Sequence, residues 1–464
     1  MKKIAITSLN LTCLIIIQVN TSFGCFPGFS AVNQDNKSLS AEEFMVRQSI
    51  KSSQEWRFGL PDQVCAGVNI HFVKGHEKDL DMIAAAGFRF IRMDFVWQGT
   101  ERTKGNYDWS GYDELTTNLE KRGLSAIYIL DYSNPLYEET VVSINPLTGK
   151  EQRATASPQH PESIAAFAKW ASAAAEHFKN RNIIWEIWNE PNISFWKPKP
   201  DVKQYTDLAI ATCKSIRTVV PGAFVVGPAT SEIPLQFIES LFTSGVLEYL
   251  DAVSVHPYRN YSKSPETAAV DYKKLRELIY RYAPAEKKNM PIISSEWGYS
   301  SSTKGIPVET QAAYLVRMQL SNLLNNIPLS IWYDWKNDGD DPSEHEENFG
   351  TVSLDLNPKA AYISAQTMNS QLKGFTFSKR LDVKSKNDYL LLFKNDKDQY
   401  KIAAWTTDSL HSVIIENIMP LVPDVNIIDT KGNILKLKTE ENRLVLDLNE
   451  FPQYVFFPKG TKVK

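Results

Sequence analysis

Four cysteines in 464 residues are too few and too scattered for a disulfide framework. No CxxC, no Cys/His pair at metal-ligand spacing and no HExxH occurs among the seven histidines, so neither a catalytic metal nor another cofactor is expected. Positive charge is not in excess, since 51 Lys+Arg stand against 54 Asp+Glu, a formal charge of −3. A chain of that balance has no basic surplus to follow a phosphate backbone, which excludes general nucleic-acid binding. No GxGxxG follows the first strand candidate, and this removes the simplest dinucleotide-binding alternative. Internal repeats and low-complexity tracts are also missing. The apolar run Leu9–Val19 is too short to span a bilayer.

That run belongs to an export signal. Lys2 and Lys3 form a positive head, Leu9–Val19 the apolar stretch, and Asn20, Thr21 and Ser22 the small polar exit, so residues 1–24 read as a signal peptide. Gly24-Cys25 resembles the lipid-attachment box of bacterial lipoproteins, although Phe23 fits that box poorly and no Leu or Val stands three residues before the cysteine. The chain is therefore expected to be exported, as a periplasmic, cell-surface or secreted protein, with a lipid anchor at Cys25 left open. Cys13 leaves with the signal, and Cys65 and Cys213 read as small buried apolar residues.

With 43% hydrophobic and 23% charged residues the chain is globular, not disordered. A polar leader (25–64) precedes eight alternations of strand and helix. The strand candidates are Ala66–Phe72, Phe88–Phe95, Leu124–Asp131, Ile183–Trp188, Phe224–Gly227, Ala252–His256, Pro291–Ser295 and Leu329–Asp334. Between them run amphipathic stretches with apolar residues three and four apart, such as Glu77–Ala86, Tyr112–Lys121, Pro161–Phe178, Lys203–Val219, Thr267–Tyr282 and Glu309–Leu324. Eight such units predict an α/β fold, a (β/α)8 barrel over 65–368, rather than an open doubly wound sheet. From about residue 375 helical period disappears and short strands alternate with Asn, Asp, Gly and Pro, which predicts a small C-terminal antiparallel β-sandwich over 369–464. Its favoured role is to pack on the barrel.

Chemistry in such a barrel sits at the C-terminal ends of the strands. The fourth strand candidate delivers Asn189-Glu190-Pro191, and the seventh delivers Glu296-Trp297-Gly298. Ends four and seven, three strand–helix units apart, face each other across the mouth, so two carboxyl groups can stand near each other. One can donate a proton to a leaving oxygen while the other, ionised, attacks an anomeric carbon. Glu186 shares strand parity with Glu190 and reads as a core partner of Arg92.

Trp-Asn-Glu-Pro at the end of strand four, with Ser-Glu-Trp-Gly closing strand seven, resembles clan A of the retaining glycoside hydrolases, nearest to families 39 and 5. The likeness includes Trp97, Glu101 and the Gly105–Trp109 segment, and covers the barrel but not the C-terminal domain. It implies Glu190 as acid/base and Glu296 as nucleophile. It further implies Asn189 on the sugar 2-hydroxyl, Arg92 holding the nucleophile ionised, and His256 and Tyr258 beside it. One tryptophan of strand eight, Trp335 or Trp332, should floor the sugar site. Asp131 and Tyr132 stand where the clan often has a substrate-binding histidine. His71 at the end of strand one reads either as a sugar contact or as a cap on the barrel. Trp97 joins the expected sugar-binding set, and Trp196, with Phe195 beside it, the expected platform for the leaving sugar. The acidic run Asp338–Glu347 reads as a solvated loop, not a calcium site. The expected partner is a carbohydrate, and the expected reaction is hydrolysis by double displacement. Alternatives are a transglycosylase using the same residues and a glycan-binding barrel without activity.

Overall fold

The computed structural model describes residues 63–144, 151–416, 418–419, 425–440, 443–460 and 462–463. The expected signal, Cys25 and nearly all of the polar leader lie outside these residues. Eight parallel strands close into a barrel: β1 (Ala66–Asn69), β2 (Phe90–Val96), β3 (Ser125–Asp131), β4 (Ile183–Ile187), β5 (Phe224–Ser231), β6 (Ala252–His256), β7 (Ile292–Trp297) and β8 (Ser330–Trp332), each paired with its neighbours and β1 with β8. The longer helices between and after them are α1 (Glu77–Ala85), α2 (Ser110–Glu120), α3 (Pro161–His177), α4 (Val202–Val219), α5 (Leu235–Thr243), α6 (Ala268–Tyr282), α7 (Val308–Leu324) and α8 (Ala360–Leu372). To the amphipathic stretches read from the sequence the structure adds α5 and α8. The domain boundary expected after residue 368 falls inside α8, and the first C-terminal strand starts only at Thr376.

Alternation along the strands sorts the barrel into layers. Phe90, Ile127, Ile184, Phe224, Ala252 and Ile293 form an apolar floor inside it. Two residues further along β2 and β4, on the same inward face, the residues become Arg92 and Glu186. Gly67 on β1 is required by the crowding of this floor, because a Cβ there would stand 2.4 Å from Ile331 Cδ1 and 2.7 Å from the Phe90 carbonyl.

Among the described residues of the C-terminal part every strand pairing is antiparallel, in a six-stranded sheet and a three-stranded sheet with one smaller pairing beside them. Along Asp388–Lys394 and Tyr400–Thr406 the period of two divides the apolar side chains between two cores. Leu390, Leu392, Ile402 and Ala404 pack between the sheets with Ile415, Leu444 and Leu446. Leu391, Phe393, Ala403 and Trp405 join the barrel's own core. Both faces of the large sheet are thus committed to packing, and the domain is a structural partner of the barrel.

One buried polar contact pins this junction. Arg317 of α7 donates twice to Glu266, Nε and Nη2 each at 2.8 Å, and Trp405 Nε1 donates to Glu266 Oε1 at 2.7 Å. Burial works to raise the Glu266 carboxyl, yet the two Arg317 hydrogen bonds override it and hold the group below its ordinary value. Its stabilising contribution is therefore complete above the unfolded carboxyl value and is lost as pH falls through the lower folded one. Glu266→Ala strands a buried guanidinium and is expected to cost about 3–5 kcal/mol in urea unfolding at neutral pH. That deficit should shrink as the medium is acidified below the unfolded carboxyl value.

Candidate active site

The polar layer at the top of the barrel is organised by Arg92, which is 1% exposed. Its Nε donates to Glu186 at 2.7 Å, Nη1 to Glu296 Oε2 at 2.6 Å and to Asn69 Oδ1 at 3.2 Å, and Nη2 to Asn189 Oδ1 at 2.8 Å. Burial opposes the guanidinium charge, and the Glu186 and Glu296 carboxylates more than compensate it, so Arg92 stays ionised.

Glu190 and Glu296 reach this layer by departures from regular strand geometry. Between the β7–β8 pairs Ser294–Ser330 and Trp297–Trp332, β7 carries one residue more than β8. This bulge turns Glu296 inward, where simple alternation from Ile293 would point it out. Beyond β4, Trp188 and Glu190 both adopt left-handed backbone, with φ of 66° and 46°. Each costs about 1–3 kcal/mol in a non-glycine residue. The first turns the Trp188 ring outward against Phe167 and Trp196. The second lets the Glu190 amide donate to the Ala229 carbonyl at 2.9 Å. Gly298, just past the second glutamate, is required because a Cβ would stand 1.9 Å from the Tyr333 carbonyl oxygen.

His256 lies between the two glutamates, its Nδ1 at 2.9 Å from Glu190 Oε1 and 3.9 Å from Glu296 Oε1. Its Nε2 faces Arg92 Nη2 at 3.3 Å. Arginine can only donate, so Nε2 accepts, the ring proton sits on Nδ1, and His256 donates to Glu190 Oε1. A proton on Glu190 is then directed to Oε2. Tyr258 donates its hydroxyl to Glu296 Oε1 at 2.8 Å. Burial, then the charges of Glu296 and Glu190, push the Tyr258 hydroxyl well up, so it keeps its proton. Burial also disfavours a charged Glu296, but the Arg92 charge and the Tyr258 hydroxyl hold its carboxyl below the ordinary value. Carboxylate oxygens of Glu190 and Glu296 lie within 4.8 Å of each other.

Asn189 completes the cluster, its Nδ2 donating to the Tyr132 hydroxyl at 3.0 Å. His71 stands at the rim. Its side chain is 42% exposed, edge-on to Tyr333 at 5.6 Å and 3.7 Å from Asp334 Oδ2. Asp131, at the end of β3, is fully buried.

Four expected contacts are not in the mouth. Trp335 is buried and donates to Asp79 of α1, and Trp332 points between barrel and helices and donates to the Phe349 carbonyl. The ring at the mouth on this side is Tyr333, half-buried between them. Trp97 is buried against Tyr137 and Trp170, with Nε1 on Glu101. Trp196 is buried against Trp188 and Tyr205, so the exposed ring of that pair is Phe195, which stacks on Tyr132 at 5.8 Å and 16°. Asn69 escaped the sequence reading, although its parity with Gly67 on β1 pointed it inward.

Among the described residues, two groups hold three potential metal-ligating atoms within 4.8 Å: Glu190, His256 and Glu296, and His71, Asp334 and Asp338. In the first, His256 is committed to Glu190 and the Arg92 cation stands behind it, which disfavours a second positive charge.

The family model described as Cellulase (glycosyl hydrolase family 5) matches residues 61–339. A family 39 glycoside hydrolase from the gut symbiont Bacteroides cellulosilyticus WH2 is similar in structure, with a TM-score of 0.72, 26% identity and coverage of 87% of this chain and 81% of that one. A family 39 β-xylosidase from Caulobacter crescentus shares the fold with a TM-score of 0.60 at 18% identity, covering 87% of this chain and 96% of that one. A family 30 subfamily 8 xylanase from Clostridium acetobutylicum does so with a TM-score of 0.58 at 13% identity, over 86% and 96% of the two chains.

Proposed function

This chain belongs to the cellulase family, glycosyl hydrolase family 5, and from that premise we propose an exported enzyme that cleaves O-glycosidic bonds of a poly- or oligosaccharide with retention of configuration. The observation that carries the retaining mechanism is the approach of Glu190 and Glu296 to within 4.8 Å. Retaining pairs stand about 5–5.5 Å apart, whereas inverting pairs need roughly 6.5–9.5 Å to admit a water between them.

In the first step a Glu296 oxygen bonds to the anomeric carbon as the bond to the leaving oxygen breaks. Glu190 gives that oxygen its proton from Oε2, the atom His256 leaves free. Glu296 loses its charge on becoming an ester, so Glu190, now ionised, can take a proton from water. The resulting hydroxyl attacks the anomeric carbon, and the bond to Glu296 breaks. Arg92 and Tyr258 hold Glu296 ionised and aimed before attack. Asn189, fixed by Arg92 and Tyr132, has one amide hydrogen left for the sugar 2-hydroxyl. Phe195, five residues past Glu190 and backed by Tyr132, offers an apolar ring to the leaving sugar. Export rests on Lys2, Lys3 and the Leu9–Val19 run.

Release of new reducing ends from a polysaccharide and aryl-glycoside panel tests the reading. The wild type should hydrolyse at least one neutral glycan, and tight binding without cleavage across the panel would replace hydrolysis by glycan capture. On the responsive glycan, Phe195→Ala should lower kcat/KM roughly 2- to 10-fold through KM. Aryl glycosides, which carry no leaving sugar, should be nearly unaffected by that change.

A further inference from the structure

A second pair of carboxyl groups sits in the same mouth, outside the chemistry described so far. Asp94 lies on β2 two residues beyond Arg92 on the same inward face, so it stands one step nearer the opening. Asp131 ends β3 with the inward parity of Ile127 and Ile129. Asp131 is fully buried, and no donor among the described residues reaches either of its carboxylate oxygens. Its hydrogen-bonding neighbour is the Asp94 carboxyl, itself an acceptor when ionised. The two lie on the inward face of paired strands, Asp94 opposite Ile129 and Asp131 opposite Val96. Two acceptors in hydrogen-bonding contact, one of them cut off from water, are compatible only if a proton lies between them.

We propose that Asp94 and Asp131 share one proton and form a sugar-hydroxyl-binding group: Asp131 holds the proton and donates it to Asp94, and Asp94 presents its outer oxygen to a hydroxyl of the sugar bound between Glu190 and Glu296. The assignment of roles follows from access, since Asp131 is sealed and Asp94, at an inward position one step nearer the opening than Arg92, is only half-buried.

The strongest influences on Asp131 oppose its ionisation. Burial acts first and most strongly, followed by the Asp94 charge and hydrogen bond on β2, with the Glu186 charge on β4 adding to them and the Arg92 charge working against them. Tyr132 and Tyr112 are pushed up by burial and by the same two carboxyls, so neither supplies a competing charge. Asp131 is thus a positioning residue, acting through Asp94.

The proposal rests on the glycosidase reading for its ligand but not for its proton, and the test separates the two. Infrared spectra of the full chain at neutral pH should show a protonated-carboxyl band in the wild type that Asp131→Asn removes. No difference between them would overturn the shared proton. In hydrolysis, Asp131→Asn keeps a donor toward Asp94 and should stay within about threefold of wild-type kcat/KM. Asp131→Leu and Asp94→Asn should each lose roughly 10- to 100-fold, the worth of a hydrogen bond to a charged group. The Asp94→Asn loss should vanish on the one deoxy-substrate that lacks the bound hydroxyl. Equal losses for Asp131→Asn and Asp131→Leu would reduce the pair to a structural role, and full activity in Asp94→Asn would overturn sugar binding. A wild type that hydrolyses nothing while the infrared difference persists would remove the glycosidase reading and the bound sugar, and keep the shared proton.

Discussion

Glu296→Gln is expected to lower kcat by roughly four orders of magnitude or more on every substrate the wild type hydrolyses, with little change in fold or melting temperature. The amide cannot supply the electron pair that forms the glycosyl–enzyme bond. Its geometry can nevertheless be kept: the amide oxygen accepts from Arg92 Nη1 as Oε2 does now, and the amide nitrogen can donate to the Tyr258 hydroxyl. A loss of activity with intact stability therefore isolates chemistry from packing. The same contacts fix the acid side of the pH profile. Because Arg92 and Tyr258 hold the Glu296 carboxyl below its ordinary value despite burial, kcat/KM should begin to fall only below the usual carboxylate range. Wild-type rates in Glu296→Gln would transfer the nucleophile's role to another residue.

Glu190→Ala should show a different pattern, because its proton matters in proportion to the basicity of the leaving oxygen. On natural sugar leaving groups the rate should drop about 10²- to 10⁴-fold. On an aryl glycoside whose phenolate leaves unaided, the first bond still breaks and the glycosyl–Glu296 ester then accumulates for want of a base. A burst of phenol followed by slow turnover is the expected time course. Added azide, a nucleophile that needs no deprotonation, should restore turnover by displacing Glu296 and give a glycosyl azide. Uniform loss across leaving groups with no azide rescue would mean that Glu190 supports the site rather than moving a proton.

The periodicity of the sequence carried the barrel, because eight apolar runs of strand length separated by helix-period segments leave few ways to bury both kinds of face. The two glutamates were legible for the same reason, as the residues that end strands four and seven. Their exact aim was not. Alternation from Ile293 points Glu296 away from the barrel axis, and only the extra residue on β7 turns it in. Likewise Trp188 falls in an inward position by parity, and its left-handed backbone sends it out.

The tryptophans failed as markers for a related cause. A large aromatic ring near a strand end serves a core as readily as a sugar, and Trp97, Trp196, Trp332 and Trp335 are all buried with a protein partner for the indole N–H. The smaller or less buried rings beside them, Phe195 and Tyr333, took the positions at the opening. The proton-sharing reading of Asp94 and Asp131 could not come from the sequence at all, since it depends on Asp131 having no donor within reach. In the C-terminal domain, the two-residue period placed Leu391 and Leu392 on opposite faces, but which face met the barrel became clear only from the packing.

The account turns on two carboxyl groups too close to admit water between them and the sugar. Proton NMR of the first sugar released from a hydrolysed aryl glycoside, recorded before mutarotation sets in, tests it most directly. The account predicts that the new reducing end appears first with the anomeric configuration of the substrate and only later drifts to the equilibrium mixture. First appearance of the opposite anomer would mean direct attack by water, and would contradict both the covalent intermediate and Glu296 as nucleophile.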